Sequence, residues 1–208
     1  MHVMETGRGL PVLMVHGNPT WGFLYRKVAM CLQGLGLRLI MPDLIGFGLS
    51  DKPRDFGVHT IANHSRWLGS LIDQLDLDDV ILVCQDWGGA IGTHPFTSRQ
   101  DRLGAMVVLN TVLDAPAPGF KPSAFHRFSH LPLLSDCAFR LLPLPQAALH
   151  LAQGDKSSIR GNVARAYRYP FRDIRDRVAP LATARMAVDR MDHPSIPALE
   201  ECAAFVRA

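Results

Sequence analysis

The strongest constraint on folding is one short stretch. Val80-Ile81-Leu82-Val83-Cys84 is an unbroken apolar run rich in β-branched residues, and Gln85-Asp86-Trp87-Gly88-Gly89 follows it at once. A run of that kind suits a central parallel strand buried on both faces. The glycines behind it demand an abrupt change of direction into a helix. A sharp strand-to-helix turn holds its central residue in a strained backbone conformation and needs small residues two places away on either side. Cys84 and Gly88 meet that need, and the central residue is Asp86.

The flanking sequence extends the pattern. Leu10–Val15 reads as a buried strand that empties into the turn His16-Gly17-Asn18-Pro19. Thr20 is placed to cap a helix whose apolar residues Leu24, Val28, Cys31, Leu32 and Leu35 recur at helical spacing. Arg38–Met41 continues as a strand, and Asp43 to Pro53 has turn chemistry. A second helix runs from a Thr60 cap through Ile61, Leu68, Leu71, Ile72 and Leu75. A further helix follows Gly88-Gly89, with Pro95 about two turns in, where it bends or ends the helix. Ala105–Leu109 is the next strand. Strands alternating with helices in this way define an α/β fold with a parallel sheet.

After Asn110 the character changes. Asp114 to Pro122 is rich in Pro and Gly, and Leu131–Leu151, Ile174–Ala187 and Leu199–Val206 read as helices with no strands between them. The division expected is a core over residues 1–112 and a helical cap over 113–208, the cap shaping a pocket at the sheet's carboxyl edge.

A carboxylate at the centre of such a turn has two readings. As a helix N-cap it would bond the next turn's amides. As a nucleophile it needs no activation and displaces a leaving group from saturated carbon, giving an enzyme ester. Hydrolysing that ester takes an activated water and donors for the developing oxyanion. The backbone N–H groups of Trp87 and Asn18 are placed to be those donors. With His16-Gly17-Asn18-Pro19 upstream, the nucleophile is the preferred reading. His16 belongs to the oxyanion loop and is structural, not catalytic.

Composition narrows the alternatives. The formal charge of +3 comes from 22 basic and 19 acidic residues with no dense run of one sign, so nucleic acid is not an expected partner. Arginines gather between Arg165 and Arg177, but acids and aromatics interleave them, as on a solvated helical face. The cysteines Cys31, Cys84, Cys137 and Cys202 lack metal-ligand or disulfide-framework spacing and read as free thiols of a cytoplasmic protein. No apolar run of ~18 residues is long enough to span a bilayer. No metal or cofactor is called for.

The motifs together resemble one family. His16-Gly17-Asn18-Pro19-Thr20-Trp21, Phe23-Leu24-Tyr25-Arg26, Pro42-Asp43 through Pro53, and Gln85-Asp86-Trp87-Gly88-Gly89 resemble successive signatures of the haloalkane dehalogenases, the aspartate-nucleophile branch of the α/β-hydrolase fold. The likeness runs from about Val12 to Asn110 and continues more weakly into the cap at Tyr169-Pro170-Phe171. It implies a mainly parallel sheet with a helical cap insertion, a small apolar substrate and a halide ion. It also implies that the Trp87 indole and the Asn18 amide are halide-stabilising donors. Asn110 stands where some members carry a catalytic glutamate, so the acid is expected from a later strand. No such strand and no late catalytic histidine follow; His193 reads as a surface residue. The expectation is a fragment incomplete at its N- and C-terminal strands, with little room before Leu10 for edge strands. Resemblance to β-lactone decarboxylases rests on the same residues. An epoxide hydrolase would need Tyr167 and Tyr169 to converge, and residues two apart on a helix point to different sides. A non-catalytic remnant lacking its base is the remaining alternative.

Overall fold

The computed structural model describes residues 1–208. Its strands are β1 (Val3–Gly7), β2 (Leu10–Val15), β3 (Leu37–Pro42), β4 (Val80–Gln85) and β5 (Leu103–Leu109), ordered β1-β3-β2-β4-β5 in one sheet. β1 is antiparallel to β3, and every other neighbouring pair is parallel. The segment before Leu10 does hold an edge strand, because five residues suffice to register Val3 against Pro42 and Gly7 against Arg38. Arg38 and Glu5 then pair across the strands.

Strand alternation sorts the core into two faces. Leu13, Val15, Leu82 and Cys84 point to one side and pack with α2 (Ile61–Gln74) and α3 (Trp87–Thr93). Val12, Met14, Leu39 and Met41 point to the other and pack with Tyr25 and Ala29 of the first helical segment. α2 buries Ile61, His64, Ser65, Leu68, Leu71 and Ile72 on one stripe, and Thr60 Oγ1 accepts the Asn63 N–H at 3.1 Å, the cap expected there.

The first helix departs from expectation. The Thr20 hydroxyl donates to the Gly17 carbonyl, so it cannot cap; a 3-10 turn at Gly22–Tyr25 intervenes and α1 covers only Arg26–Leu32. Val28 and Leu35 are exposed, so their spacing does not mark a core face. Pro95 acts as expected. α3 ends at Thr93 and the chain tightens into a 3-10 turn at His94–Ser98.

The region read as one helix over Leu131–Leu151 is broken into Leu134–Asp136, a π turn at Cys137–Leu141, Leu144–Ala147 and a 3-10 turn at Leu149–Ala152. Pro132, Pro143 and Pro145 explain the breaks, each removing a helical donor. The remaining helices are α4 (Ala124–Ser129), α5 (Gly161–Arg168), α6 (Val178–Ala184) and α7 (Ile196–Arg207). α7 lies on α3: Cys202 Sγ approaches the Ala90 carbonyl, and Glu201 pairs with His94. β5 forms the sheet edge, with Val107, Val108 and Leu109 exposed. No helix is long and apolar enough to cross a membrane.

Candidate active site

Strand register brings the site together. Val15 pairs with Cys84 and Leu109 with Gln85, so the loops leaving β2, β4 and β5 meet at the carboxyl edge of the sheet. Ligands of open α/β sheets bind at such an edge. Asp86 sits there with φ 53° and ψ −132°, a left-handed conformation that costs a non-glycine residue about 1–3 kcal/mol. Its surroundings enforce the strain. Its N–H donates to the Asn110 carbonyl at 3.3 Å, and its own carbonyl accepts from Gly89 N at 3.0 Å and from the Thr111 hydroxyl.

The carboxylate makes no side-chain cap bond to α3. Instead Oδ1 accepts the Asn18 backbone N–H at 2.7 Å. The approach is close enough that a Cβ on Gly17 would lie 2.2 Å from Oδ1, so the loop needs glycine there. Burial raises the carboxyl's pKa above the ordinary aspartate value, opposed by the backbone N–H groups of Trp87 and Asn18. Of the two backbone donors expected from the sequence, the Asn18 N–H bonds the Asp86 carboxylate in this structure.

The expected side-chain donors are arranged differently from each other. The half-buried Trp87 ring lines a cavity of about 510 Å³ beside Asp86, walled by Phe120, Phe125, Val188 and Leu199 among others. Asn18 Nδ2 donates to the Pro180 carbonyl of α6 at 2.9 Å, tying the loop to the cap, while its Oδ1 is buried with no partner. Sequence reasoning had no signal for the Pro180 contact, which joins residues 162 positions apart. It also passed over Thr111 and His126, which line the cavity.

Other histidines are accounted for by backbone. His16 is fully buried, with Nδ1 2.9 Å from the Gly17 carbonyl and Nε2 accepting the Leu44 N–H at 2.9 Å. It is a neutral loop brace, as expected. His193 is buried, not a surface residue: Nε2 lies 3.0 Å from the Arg185 carbonyl and Nδ1 accepts the Ser195 N–H. It gathers with His130 and Asp189, but the ring nitrogens of His130 also face the His126 and Arg185 carbonyls. That cluster ties the end of α4 to the chain between α6 and α7 and is not among the residues lining the Asp86 cavity. Tyr167 and Tyr169 do not converge. The Tyr167 hydroxyl accepts from Arg26 and the ring is buried, whereas Tyr169 is exposed and stacked with Arg172.

A second buried pair, His59 and His64, stacks with Nδ1 of the first 3.2 Å from Nε2 of the second. Burial, with the repulsion of His59 and His16, lowers the His64 pKa to about 3. An unfolded histidine titrates near 6.5. Below that pH the unfolded chain takes up a proton that the fold refuses until about pH 3, so this contribution is complete above 6.5 and is lost as pH falls. We expect Tm to drop steadily through that window and His64→Gln to flatten the drop; an unchanged slope in thermal melts would contradict it.

The family model for the alpha/beta hydrolase fold matches residues 11–131. Haloalkane dehalogenase 1 of Mycobacterium tuberculosis is 36% identical over 193 residues, 90% of this chain and 60% of that protein. The haloalkane dehalogenase of Psychrobacter cryohalolentis is 47% identical over 103 residues, 50% of this chain and 34% of that protein. Among solved structures, the haloalkane dehalogenase DatA from Agrobacterium tumefaciens superposes with a TM-score of 0.87 at 29% identity, covering all of this chain and 71% of its own. A point mutant of DatA matches at 30% identity, with a TM-score of 0.86 over 98% of this chain and 71% of its own. The chain belongs to the α/β-hydrolase fold family. Within that family it is haloalkane dehalogenase-like, and it spans about three-fifths of the length of the M. tuberculosis relative.

Proposed function

We propose that the protein cleaves carbon–halogen bonds with Asp86 as the nucleophile. One observation carries the reading: a strained, half-buried carboxylate on the elbow that makes no side-chain cap bond and instead accepts the Asn18 N–H at 2.7 Å. Attack by a carboxylate oxygen forms a C–O bond while the C–X bond breaks and the halide leaves with its electron pair. The Trp87 indole N–H and the remaining Asn18 amide hydrogen serve the departing halide, which an apolar wall cannot solvate. When water attacks the ester carbonyl, the Asn18 and Trp87 backbone N–H groups receive the oxyanion.

Activating that water takes a base and its supporting acid, and the reading assigns neither to a residue of this chain. It therefore assigns ester formation to the 208 residues and expects stoichiometric release of halide, not sustained turnover. Residues 1–112 form the core and 113–208 the cap, whose α7 is seated on α3. Free cysteines throughout support a cytoplasmic setting.

The test is halide release from a panel of bromo- and chloroalkanes, compared with Asp86→Ala. A burst matching the protein concentration is expected. Halide no higher than the variant's background would remove the dehalogenase reading.

A further inference from the structure

The cavity beside Asp86 contains a histidine for which the proposed chemistry has no task. α4 holds His126 in its first turn, where Ser123 Oγ accepts the His126 N–H at 3.3 Å. The His126 carbonyl accepts from Ser129 Oγ at 2.8 Å, and His130 Nδ1 lies 2.9 Å from it. The ring lines the cavity that Asp86 and Trp87 also line. Its Nδ1 is sealed from solvent and has no hydrogen-bond partner.

In the neutral ring that burial favours one tautomer. A neutral imidazole carries one N–H and one lone pair, and a sealed, unpaired N–H is the rarer and costlier of the two to bury. The proton therefore belongs on Nε2, and the ring offers the cavity a donor. Other polar side chains of the wall are engaged or hydrated. The Thr111 hydroxyl donates to the Asp86 carbonyl, Asp114 pairs with Arg207, and Asn110 is exposed. No acceptor among these residues orients Nδ1 as the far nitrogen of a general base is oriented, and the free Nε2 acts as a donor.

We propose that His126 is a specificity-determining residue whose Nε2–H binds an acceptor oxygen, hydroxyl, ether or carbonyl, carried on the substrate chain away from the reacting carbon. The preferred substrates are then oxygen-bearing haloalkanes, not plain hydrocarbon halides. The substrate class rests on the nucleophile reading of Asp86; the donor role of His126 does not. A site built to hydrogen-bond an oxygen rejects the analogue lacking it, because the site's own group is then left unpaired.

Two readouts keep the claims separate. The first is equilibrium binding of hexanol, which has no leaving halide, by NMR titration of the protein, His126→Phe and His126→Gln. Binding about tenfold weaker in His126→Phe and largely restored in His126→Gln is expected, the worth of one buried hydrogen bond. The second is the rate of ester formation with bromohexanol against bromohexane, followed by intact mass. The preference for bromohexanol should fall by the same factor in His126→Phe, whereas a merely structural role would slow both bromides alike. Equal hexanol binding in all three proteins would overturn the role of His126. His126-dependent hexanol binding with no ester from either bromide would leave the donor role standing and remove the nucleophile reading.

Discussion

Replacing Asp86 with asparagine is expected to abolish halide release and to raise Tm by a few degrees. Loss of a nucleophile that nothing replaces costs about 10⁴-fold or more. The gain in stability has a separate origin. Burial disfavours the charged carboxyl, as its raised pKa records. Asparagine removes that charge, keeps an oxygen for the Asn18 N–H and tolerates the positive φ of 53°. The linkage sign follows from the same shift. A carboxyl whose folded pKa is raised destabilises the fold at neutral pH, and the penalty is relieved as pH falls through the raised value. Ester formation has the opposite dependence, failing as pH falls through that value, above where an exposed aspartate would titrate. Circular-dichroism melts of both proteins at neutral pH check the stability claim, and a lower Tm for Asp86→Asn would contradict it.

Gly88→Ala is expected to destabilise the fold strongly. Its Cβ would stand 2.1 Å from the Val15 carbonyl oxygen and 2.7 Å from that of His16. Both are backbone atoms of the β2 end, and Val15 is registered against Cys84 of β4. Relief would mean separating the two strands that position Asn18 and Asp86. We expect a loss of about 3–5 kcal/mol, hence a Tm lower by about 6–20 °C. Gly154→Ala is the control, since its Cβ would meet nothing within 4 Å. Equal melting temperatures for the two variants would sink the steric account of the elbow.

What the sequence made legible follows from how local each determinant is. The strand at Val80, the elbow glycine Gly88, the Thr60 cap and the stop at Pro95 each act within a few residues, and all are found in the fold. The pairing of Asn18 with Asp86 spans 68 positions, yet it was readable because two short motifs announce it together. Where side chains choose between local and distant partners the reading fails. Thr20 turns to Gly17 instead of capping, and His193 turns inward to Arg185. Leu131–Leu151 keeps its helical spacing of leucines, but the prolines among them remove the backbone donors that a continuous helix needs. The sealed nitrogen of His126 depends on packing around one atom, and nothing in the order of residues encodes it visibly.

The central claim is covalent, and the most direct measurement is covalent too. The protein is incubated with bromohexane, quenched in acid, digested and sequenced by tandem mass spectrometry. The account predicts a hexyl ester on the peptide containing Asp86, localised to that residue and missing from Asp86→Asn. Unmodified Asp86 in a sample that has released halide, or a hexyl group on any other side chain, would contradict it.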